Sequence, residues 1–154
     1  MVEKGEPTMF RGRHEHTIDP KGRVSIPAKF RDVLGKKYDD RLVITNFDGC
    51  LVAYPYEEWI QLEEKASSLS MVKKETRAFM RFFYSSAIEC TLDKQGRILV
   101  PQTLREYADL DKEVVLVGQL RKIEIWSKKR WSEEIVKAHE NFDQISDVLS
   151  ELGL

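Results

Sequence analysis

The sequence contains two copies of one segment, and this repeat constrains the fold more than any other feature. Residues 17–31 read TIDPKGRVSIPAKFR, and residues 91–105, which begin 74 positions later, read TLDKQGRILVPQTLR. The Thr, Asp, Gly, first Arg, Pro and final Arg are identical at matching places. Because a repeated segment implies a repeated structural unit, the sequence predicts two related halves that present the same arginines.

Each copy predicts a strand, a tight turn and a second strand. The segment from Asp19 to Gly22 has Asp first, Pro second and Gly fourth, which are residues preferred in a type I turn. The segment from Asp93 to Gly96 keeps the Asp and the Gly, so these four residues are predicted to build the two turns. Apolar residues then alternate with polar or small ones, as in a half-buried strand. The predicted strand pairs are 14–19 with 23–26, and 87–93 with 97–100.

Helices and hairpins complete each copy. A proline, which suits the first turn of a helix, ends each second strand, and Gly35 is predicted to end the first short helix. The Asp-Gly dipeptide at 48–49 lies between two alternating apolar runs and is a strong hairpin signal. Amphipathic spacing predicts longer helices, with Ser70 as a cap and with Trp59 and Trp131 as packing anchors. The predicted short helices are 28–34 and 102–108, the hairpins 42–54 and 114–126, and the longer helices 57–66, 70–84 and a segment from 132.

The net charge is near zero, but the charges are distributed unevenly. Residues 9–31 contain six basic and two acidic side chains, whereas residues 132–154 contain six acidic and one basic. This asymmetry predicts a basic face within a neutral total. No apolar run approaches the roughly 20 residues that span a bilayer, so we expect no membrane partner. Two cysteines, Cys50 and Cys90, are typical of a reducing cytosol rather than of a disulfide framework.

The sequence has no pattern typical of an enzyme. It contains no glycine-rich phosphate loop, no recognisable Ser/His/Asp arrangement and no Cys/His cluster. His14 and His16 share one face of a predicted strand, but no third ligand has a suitable spacing, so ordinary strand histidines are the favoured interpretation. We therefore expect no catalysis, no metal, no cofactor and no small-molecule substrate.

The segment 19–31, with the pattern Asp-x-Lys-Gly-Arg-Val-x-Ile-Pro-x-Lys-Phe-Arg, resembles the SpoVT/AbrB swapped-hairpin DNA-binding motif. Two such copies in one chain, preceded by Met-Phe-Arg-Gly, resemble the bacterial MraZ family over residues 9 to about 140. The resemblance implies a mainly β fold with added helices (α+β), in which two pseudo-symmetric swapped-hairpin, barrel-like repeats carry peripheral helices. It divides the chain into a flexible N-terminal extension over 1–8, a first repeat over 9–84 and a second over 85–154.

The resemblance also implies a function. Members of this family resemble transcriptional regulators that bind double-stranded DNA at direct repeats in the promoter of the division and cell wall gene cluster, usually as repressors. They would form ring-shaped homo-oligomers and would be cytoplasmic and associated with the nucleoid. The residues leave two other interpretations open: an antitoxin-like or scaffolding module that binds a protein, and an oligomer that binds nucleic acid through charge alone.

Arg23 and Arg97 are the first candidates for DNA contact, because the family signature Asp-x-x-x-Arg falls on them. An arginine just after a tight turn projects from the tip of a two-stranded ribbon, where it can bridge guanine O6 and N7 or contact a phosphate. The alternative is an ion pair with Asp19 or Asp93 that only fixes the turn and contributes about 0–1 kcal/mol. The predicted phosphate contacts are Lys21, Arg13, Lys29, Arg31 and Lys94.

The second copy is expected to contribute less to DNA binding than the first. The lysines at positions 21 and 29 are matched by glutamine and threonine in the second copy, which removes two possible phosphate contacts. We therefore expect Arg23→Ala to abolish specific binding and Arg97→Ala to weaken it. Core packing is the favoured interpretation of the aromatic residues on the longer helices, and the helix that carries Phe79, Phe82 and Phe83 is the candidate for part of the oligomer interface.

Overall fold

The structure, a computed structural model, describes residues 8–154 and consists of eight strands and six helices in that range. The predicted extension over 1–8 lies outside the described residues except for Thr8. The strands are β1 (Arg13–Thr17), β2 (Arg23–Ser25), β3 (Arg41–Phe47), β4 (Cys50–Pro55), β5 (Ile88–Thr91), β6 (Arg97–Leu99), β7 (Glu113–Gly118) and β8 (Ile123–Ser127). The helices are α1 (Ala28–Lys37), α2 (Tyr56–Ser67), α3 (Lys74–Tyr84), α4 (Gln102–Tyr107), α5 (Lys128–Glu140) and α6 (Phe142–Glu151).

The two copies exchange strands. A six-stranded antiparallel sheet has the order β1-β7-β8-β4-β3-β5, so that β1 of the first copy pairs with β7 of the second, and β5 of the second pairs with β3 of the first. Strands β2 and β6, one from each copy, form a separate two-stranded sheet. The predicted hairpins are present as β3–β4 and β7–β8. The swapped, mainly β fold with added helices is therefore confirmed.

The six-stranded sheet is buried on both faces, because successive apolar side chains along a strand point to opposite sides. Ile44 belongs to a core shared with β2, β6, α1 and α4, which includes Val24 and Ile98. Val43 belongs to the other core, which Trp59 of α2 and Phe83 of α3 complete. The molecule is thus layered, with β2, β6, α1 and α4 on one face of the sheet and α2, α3 and α5 on the other.

The predicted anchors Trp59 and Trp131 pack as expected, whereas one of the three phenylalanines of α3 differs from the other two in exposure. Trp59 is buried against Tyr54 and Phe83, and Trp131 packs on Trp126 with ring centroids 6.0 Å apart. Phe83 is 3% exposed and belongs to the core, which agrees with the favoured interpretation of the helix aromatics and removes Phe83 from the candidate oligomer interface. Its neighbours Phe79 and Phe82 remain 39% and 40% exposed.

Three predicted boundaries are wrong. Helix α1 continues through Gly35 to Lys37, because a glycine inside an exposed helix costs only about 1 kcal/mol and does not end it. Helix α3 begins at Lys74 rather than after Ser70, since the intervening residues form a turn whose carbonyls accept bonds from Arg77. The C-terminal helix begins at Lys128, where Ser127 caps the N-H of Arg130, and is divided at Asn141.

The two strands predicted to pair within the first copy, β1 and β2, do not form a ladder with each other. β1 and β2 share only an isolated bridge between Ile18 and Val24, because both strands take their main partners from the other copy.

Cys50 and Cys90 are free thiols, and burial raises the pKa of Cys90 to about 12. Within residues 8–154, no helix has both the length and the hydropathy needed to cross a membrane.

Candidate nucleic-acid interface

β2 and β6 form a short ribbon that carries an arginine from each copy on its outer surface. Val24 lies opposite Ile98, and both side chains are buried in the core. The alternate residues therefore point outward: Arg23 opposite Leu99, and Ser25 opposite Arg97. We call this surface the arginine ribbon, and its outward residues are Arg23, Ser25, Arg97 and Leu99.

Arg23 and Arg97 are diagonal neighbours on the arginine ribbon, since each lies two residues from the partner of the other. Diagonal positions across an antiparallel pair are about 7–8 Å apart. The structure thus brings together the two arginines that the repeat singles out, although they are 74 positions apart in sequence. One surface can therefore present two guanidinium groups to one ligand.

An aspartate orients each of these arginines. Asp19 Oδ2 accepts a bond of 2.7 Å from Arg23 Nε, and Asp93 Oδ2 accepts one of 3.0 Å from Arg97 Nε. The other carboxylate oxygen accepts the backbone N-H of the same arginine, at 2.8 Å in the first copy and 2.9 Å in the second. Among the described residues, no hydrogen bond reaches the terminal guanidinium nitrogens of either arginine, so both can take an external acceptor.

The aspartates are held in their ionised form. The pKa values of Asp19 and Asp93 lie below the usual range, chiefly because the backbone N-H of Arg23 or Arg97 donates to the carboxylate, with the guanidinium adding to this effect. A carboxylate that accepts hydrogen bonds from its neighbours favours the charged form. The turn and the arginine are therefore coupled: the same carboxylate closes the turn and aims the guanidinium.

This coupling predicts a pH-dependent stability. Because both pKa values are depressed on folding, the two carboxylates stabilise the fold above the pKa of unfolded aspartate, about 3.9, and this contribution is lost as the pH falls through the lower folded-state values. The double variant Asp19→Asn, Asp93→Asn should melt at a lower temperature than the wild type at pH 7, and the difference should shrink below pH 4. Melting curves between pH 7 and pH 3, with Asp32→Asn as control, measure it. A difference that does not change with pH would contradict the coupling.

Each turn is also held by an arginine from the other copy. Arg31 Nε donates to the carbonyl of Ile26 at 3.1 Å, and a methyl group at Gly96 would lie only 2.6 Å from Arg31 Cδ. Arg105 repeats this arrangement, with a bond of 3.1 Å to Val100 O and close contact with Gly22. Arg31 and Arg105 therefore pack each short helix against the turn of the opposite copy.

This packing makes a measurable distinction between Arg31 and Lys29, which were both predicted as phosphate contacts. Removing a phosphate contact makes the salt dependence of DNA binding shallower by about 0.9, and we expect this of Lys29→Ala. Arg31→Ala should instead lower the melting temperature, because it removes the bond to Ile26 and the contact with Gly96. Binding titrations at several salt concentrations, together with melting curves, test both. A shallower slope at unchanged stability would assign Arg31 to phosphate contact.

The other predicted bases lie at different distances from the ribbon. Lys21 and Lys94 are exposed in the two turns, and Lys29 is exposed in the first turn of α1. Arg13 lies elsewhere: its guanidinium is 5.9 Å from the ring centroid of Trp131, on the face of the sheet that α5 covers. The structure therefore brings Lys21 and Lys94 close to the ribbon arginines in the fold and places Arg13 on the opposite side of the sheet.

Because the ribbon combines a strand from each copy, the structure changes the expectation that the second copy contributes less to DNA binding. The two turns enter the ribbon from opposite ends, as shown by the bonds from Val100 N to Gly22 O and from Ile26 N to Gly96 O. Each end therefore combines the turn of one copy with the helix of the other, so that Arg97 lies at the end where α1 and its Lys29 begin. Charge that the sequence concentrates in the first copy is shared between both ends.

Histidines and carboxylates form no metal site in this region. Burial lowers the pKa of His14, whose ring contacts Phe30 edge-on at 5.1 Å between centroids, as expected of a strand histidine packed on a core. Across residues 8–154, no group of three or more His, Cys, Asp or Glu side chains could hold a metal ion.

Comparison with known proteins identifies the family. The family model described as "MraZ protein, putative antitoxin-like" matches residues 9–82 and, a second time, residues 83–150. This chain belongs to the MraZ family. It is 50% identical over 147 residues to the transcriptional regulator MraZ of Pediococcus pentosaceus, which covers 95% of this chain and 100% of the relative. It is 47% identical over 146 residues to the proteins of the same name from Pelotomaculum thermopropionicum and Halothermothrix orenii, which cover 95% of this chain and 99% and 100% of those relatives.

Sequence reasoning missed two residues of the ribbon in this MraZ-family chain. Ser25 and Leu99 share the outward face with the arginines, and Leu99 is 57% exposed although it is apolar. The alternation of buried and outward residues along 23–26 and 97–100 was the available signal. No sequence signal indicated that Arg31 and Arg105 pack the short helices against the turns, because this packing depends on contacts between helices and turns of different copies.

Proposed function

We propose that this protein is a transcriptional regulator that binds double-stranded DNA sequence-specifically through the arginine ribbon. Its curated relatives carry the name transcriptional regulator, and the single observation that supports the site is that Arg23 and Arg97 are diagonal neighbours on one outward surface. The function needs no cofactor and no catalytic step, and it acts on nucleoid DNA in the cytoplasm.

The ribbon has the chemistry that base recognition requires. A two-stranded β-ribbon fits the major groove, and an arginine can donate two bonds to O6 and N7 of a guanine. The carboxylate of Asp19 or Asp93 occupies Nε, which leaves the two terminal nitrogens for the base. Lys21 and Lys94 in the turns, with Lys29 in α1, supply phosphate contacts that set position rather than sequence. Arg31 supports the ribbon by packing α1 against the turn that contains Gly96. Arg13 lies on the opposite side of the sheet and would contact only DNA that bends around the sheet edge.

One ribbon offers few contacts, so we propose that affinity comes from several copies acting together. The sites are direct repeats in the promoter of the division and cell wall gene cluster, and their occupation represses transcription. Linked binding events raise affinity through effective concentration without new contacts. A ring-shaped homo-oligomer would present one ribbon per chain, each built jointly by the repeats 9–84 and 85–154.

Binding titrations test this proposal. The purified chain is titrated onto labelled DNA from upstream of that gene cluster and onto scrambled DNA of equal length and composition, at one salt concentration. We expect binding to the native DNA that is at least tenfold tighter. Equal affinity for both would leave only nonspecific charge attraction and would contradict sequence-specific regulation.

A second function, an antitoxin-like or scaffolding module, has one observation in its favour. Helix α6 carries exposed apolar residues and no buried ones, as a helix that binds a partner does. The same DNA titration separates the two functions, because a module of this kind would not require the ribbon arginines for its main activity.

A further inference from the structure

The two halves of the arginine ribbon differ at one pair of matching positions. Ser25 and Leu99 are equivalent in the repeat, since they are 74 positions apart, as Arg23 and Arg97 are. Leu99 lies opposite Arg23, and Ser25 lies opposite Arg97. Each half of the ribbon therefore presents the same guanidinium group beside a different neighbour, which is an apolar side chain next to Arg23 and a hydroxyl group next to Arg97.

The position of Leu99 gives its exposure a meaning. A single exposed apolar residue is ordinary on a protein surface. Leu99, however, is 57% exposed on the surface that we propose enters the major groove, directly beside an arginine that would bind a base. The residues before and after it, Ile98 and Val100, are 1% and 0% exposed. The strand therefore has its core contacts without Leu99, whose side chain is available to a ligand.

The register places Leu99 as close to Arg23 as side chains on neighbouring strands can be. The next pair of the ladder, Gly22 and Val100, is hydrogen-bonded, with the N-H of Val100 donating to Gly22 O at 2.8 Å. Bonded and non-bonded pairs alternate in an antiparallel ladder, so Arg23 and Leu99 form a non-bonded pair, in which side chains lie closer. The Cβ atoms of directly opposite residues are about 4.5–5.5 Å apart, and stacked bases are about 3.4 Å apart. Leu99 can therefore reach the base pair next to the one that Arg23 contacts.

The major groove offers one apolar group to such a side chain. The C5 methyl group of thymine lies in this groove and is contacted by apolar side chains, whereas the other bases present hydrogen-bonding atoms there. A polar base edge covered by Leu99 would lose its bonds to water without gaining a partner. Ser25 has no such restriction, because a hydroxyl group can both donate and accept. The chemistry of Leu99 therefore favours thymine.

We propose that Leu99 is a specificity-determining residue that contacts the methyl group of a thymine next to the guanine bound by Arg23. The inference rests on the proposed function and deepens it by naming a second base that the ribbon reads. It also gives the ribbon a direction on DNA. The two arginines are related by near two-fold symmetry and alone would bind in either orientation, whereas the leucine and the serine distinguish the two ends. Direct repeats require such a direction, because every copy of the site points the same way.

Replacing thymine by deoxyuridine tests the contact without changing the protein. Deoxyuridine keeps the hydrogen-bonding edge of thymine and lacks only its methyl group. The wild-type chain is titrated onto native promoter DNA in which one thymine position at a time is replaced in every repeat. We expect one position, next to a guanine, at which the affinity falls by about fourfold for each repeat bound, as expected for the loss of one buried methyl group. The other thymines should have little effect.

The variant Leu99→Ser tests the protein side of the same contact. It gives the second half of the ribbon the residue of the first half, and its melting temperature should stay close to that of the wild type because the side chain is exposed. It should bind native DNA about as weakly as the wild type binds the deoxyuridine DNA, and the deoxyuridine change should cause it no further loss. Ser25→Ala is the matched control and should keep the full loss at that position.

The outcomes separate this inference from the proposed function. If no deoxyuridine position weakens wild-type binding, or if Leu99→Ser loses as much affinity there as the wild type does, the thymine contact is overturned. The proposed function stands in that case as long as the wild type prefers native to scrambled DNA. Equal affinity of the wild type for native and scrambled DNA would overturn both.

Discussion

Replacing both ribbon arginines by alanine should abolish sequence-specific DNA binding while leaving the fold intact. Arg23 and Arg97 are partly exposed, and of their side-chain nitrogens only Nε bonds within the described protein. A good bidentate contact with a base is worth about 1–3 kcal/mol, so each single variant should lose roughly 5- to 150-fold in affinity for its repeat DNA. The two single variants should lose similar amounts, because both arginines have the same surroundings. This differs from the larger loss expected for Arg23 from the sequence.

The matched control for this experiment is Arg41→Ala. Arg41 also bonds an aspartate, with its Nη2 donating to Asp39 Oδ2 at 2.7 Å, but it lies over the ring of Tyr56 at 4.0 Å, away from the ribbon. Titrations on native and scrambled DNA, with melting curves for each variant, measure specificity and stability together. If the ribbon variants bind like the wild type, the arginines serve only as turn-fixing ion pairs.

Gly22→Ala should be among the most destabilising single changes in the chain. Gly22 has φ of +91°, and an added methyl group would lie 2.6 Å from the backbone oxygen of Val100, which cannot move without breaking the ribbon. Left-handed backbone costs a residue with a side chain about 1–2 kcal/mol, and overpacking adds about 1–3 kcal/mol. We therefore expect a loss of about 2–5 kcal/mol in the free energy of unfolding.

Substitutions at two other glycines distinguish the cost of the left-handed backbone from the cost of overpacking. Gly49→Ala, at φ of +82° with open space around it, should cost about 1–2 kcal/mol. Gly96→Ala should lie between them, because its methyl group would meet the flexible side chain of Arg31 rather than backbone. Chemical denaturation of the three variants gives the order. A loss for Gly22→Ala no larger than that for Gly49→Ala would mean that the contact with Val100 is not tight.

The repeat and the local signals predicted most of the elements but not their pairing. Alternation identifies a strand, yet its period does not say which strand lies beside it. The exchange of β1 and β5 between copies therefore followed from the family resemblance and not from periodicity. Gly35 and Ser70 were wrongly predicted as helix boundaries because each is a residue type common at helix ends. In the structure, α1 continues to Lys37 and α3 begins only at Lys74.

The candidate site was predictable in its chemistry and not in its geometry. The signature Asp-x-x-x-Arg identified the two aspartate–arginine pairs, which the structure places in nearly identical bonds. That the two arginines share one surface depends on β2 pairing with β6, a contact between distant segments. For the same reason, the sequence could not show that Arg13 lies on the far side of the sheet from Arg23.

Site-specific photo-crosslinking tests most directly whether the arginine ribbon is the DNA-binding surface. A photoreactive residue is placed at position 99, which lies opposite Arg23 and two residues from Arg97 on the ribbon, or at position 72, beside the basic start of α3 on the helical side; Leu99 and Val72 are 57% and 86% exposed. With native promoter DNA, we expect crosslinks from position 99 and none from position 72, and we expect Arg23→Ala with Arg97→Ala to remove them. Crosslinks from position 72 without any from position 99 would contradict the account.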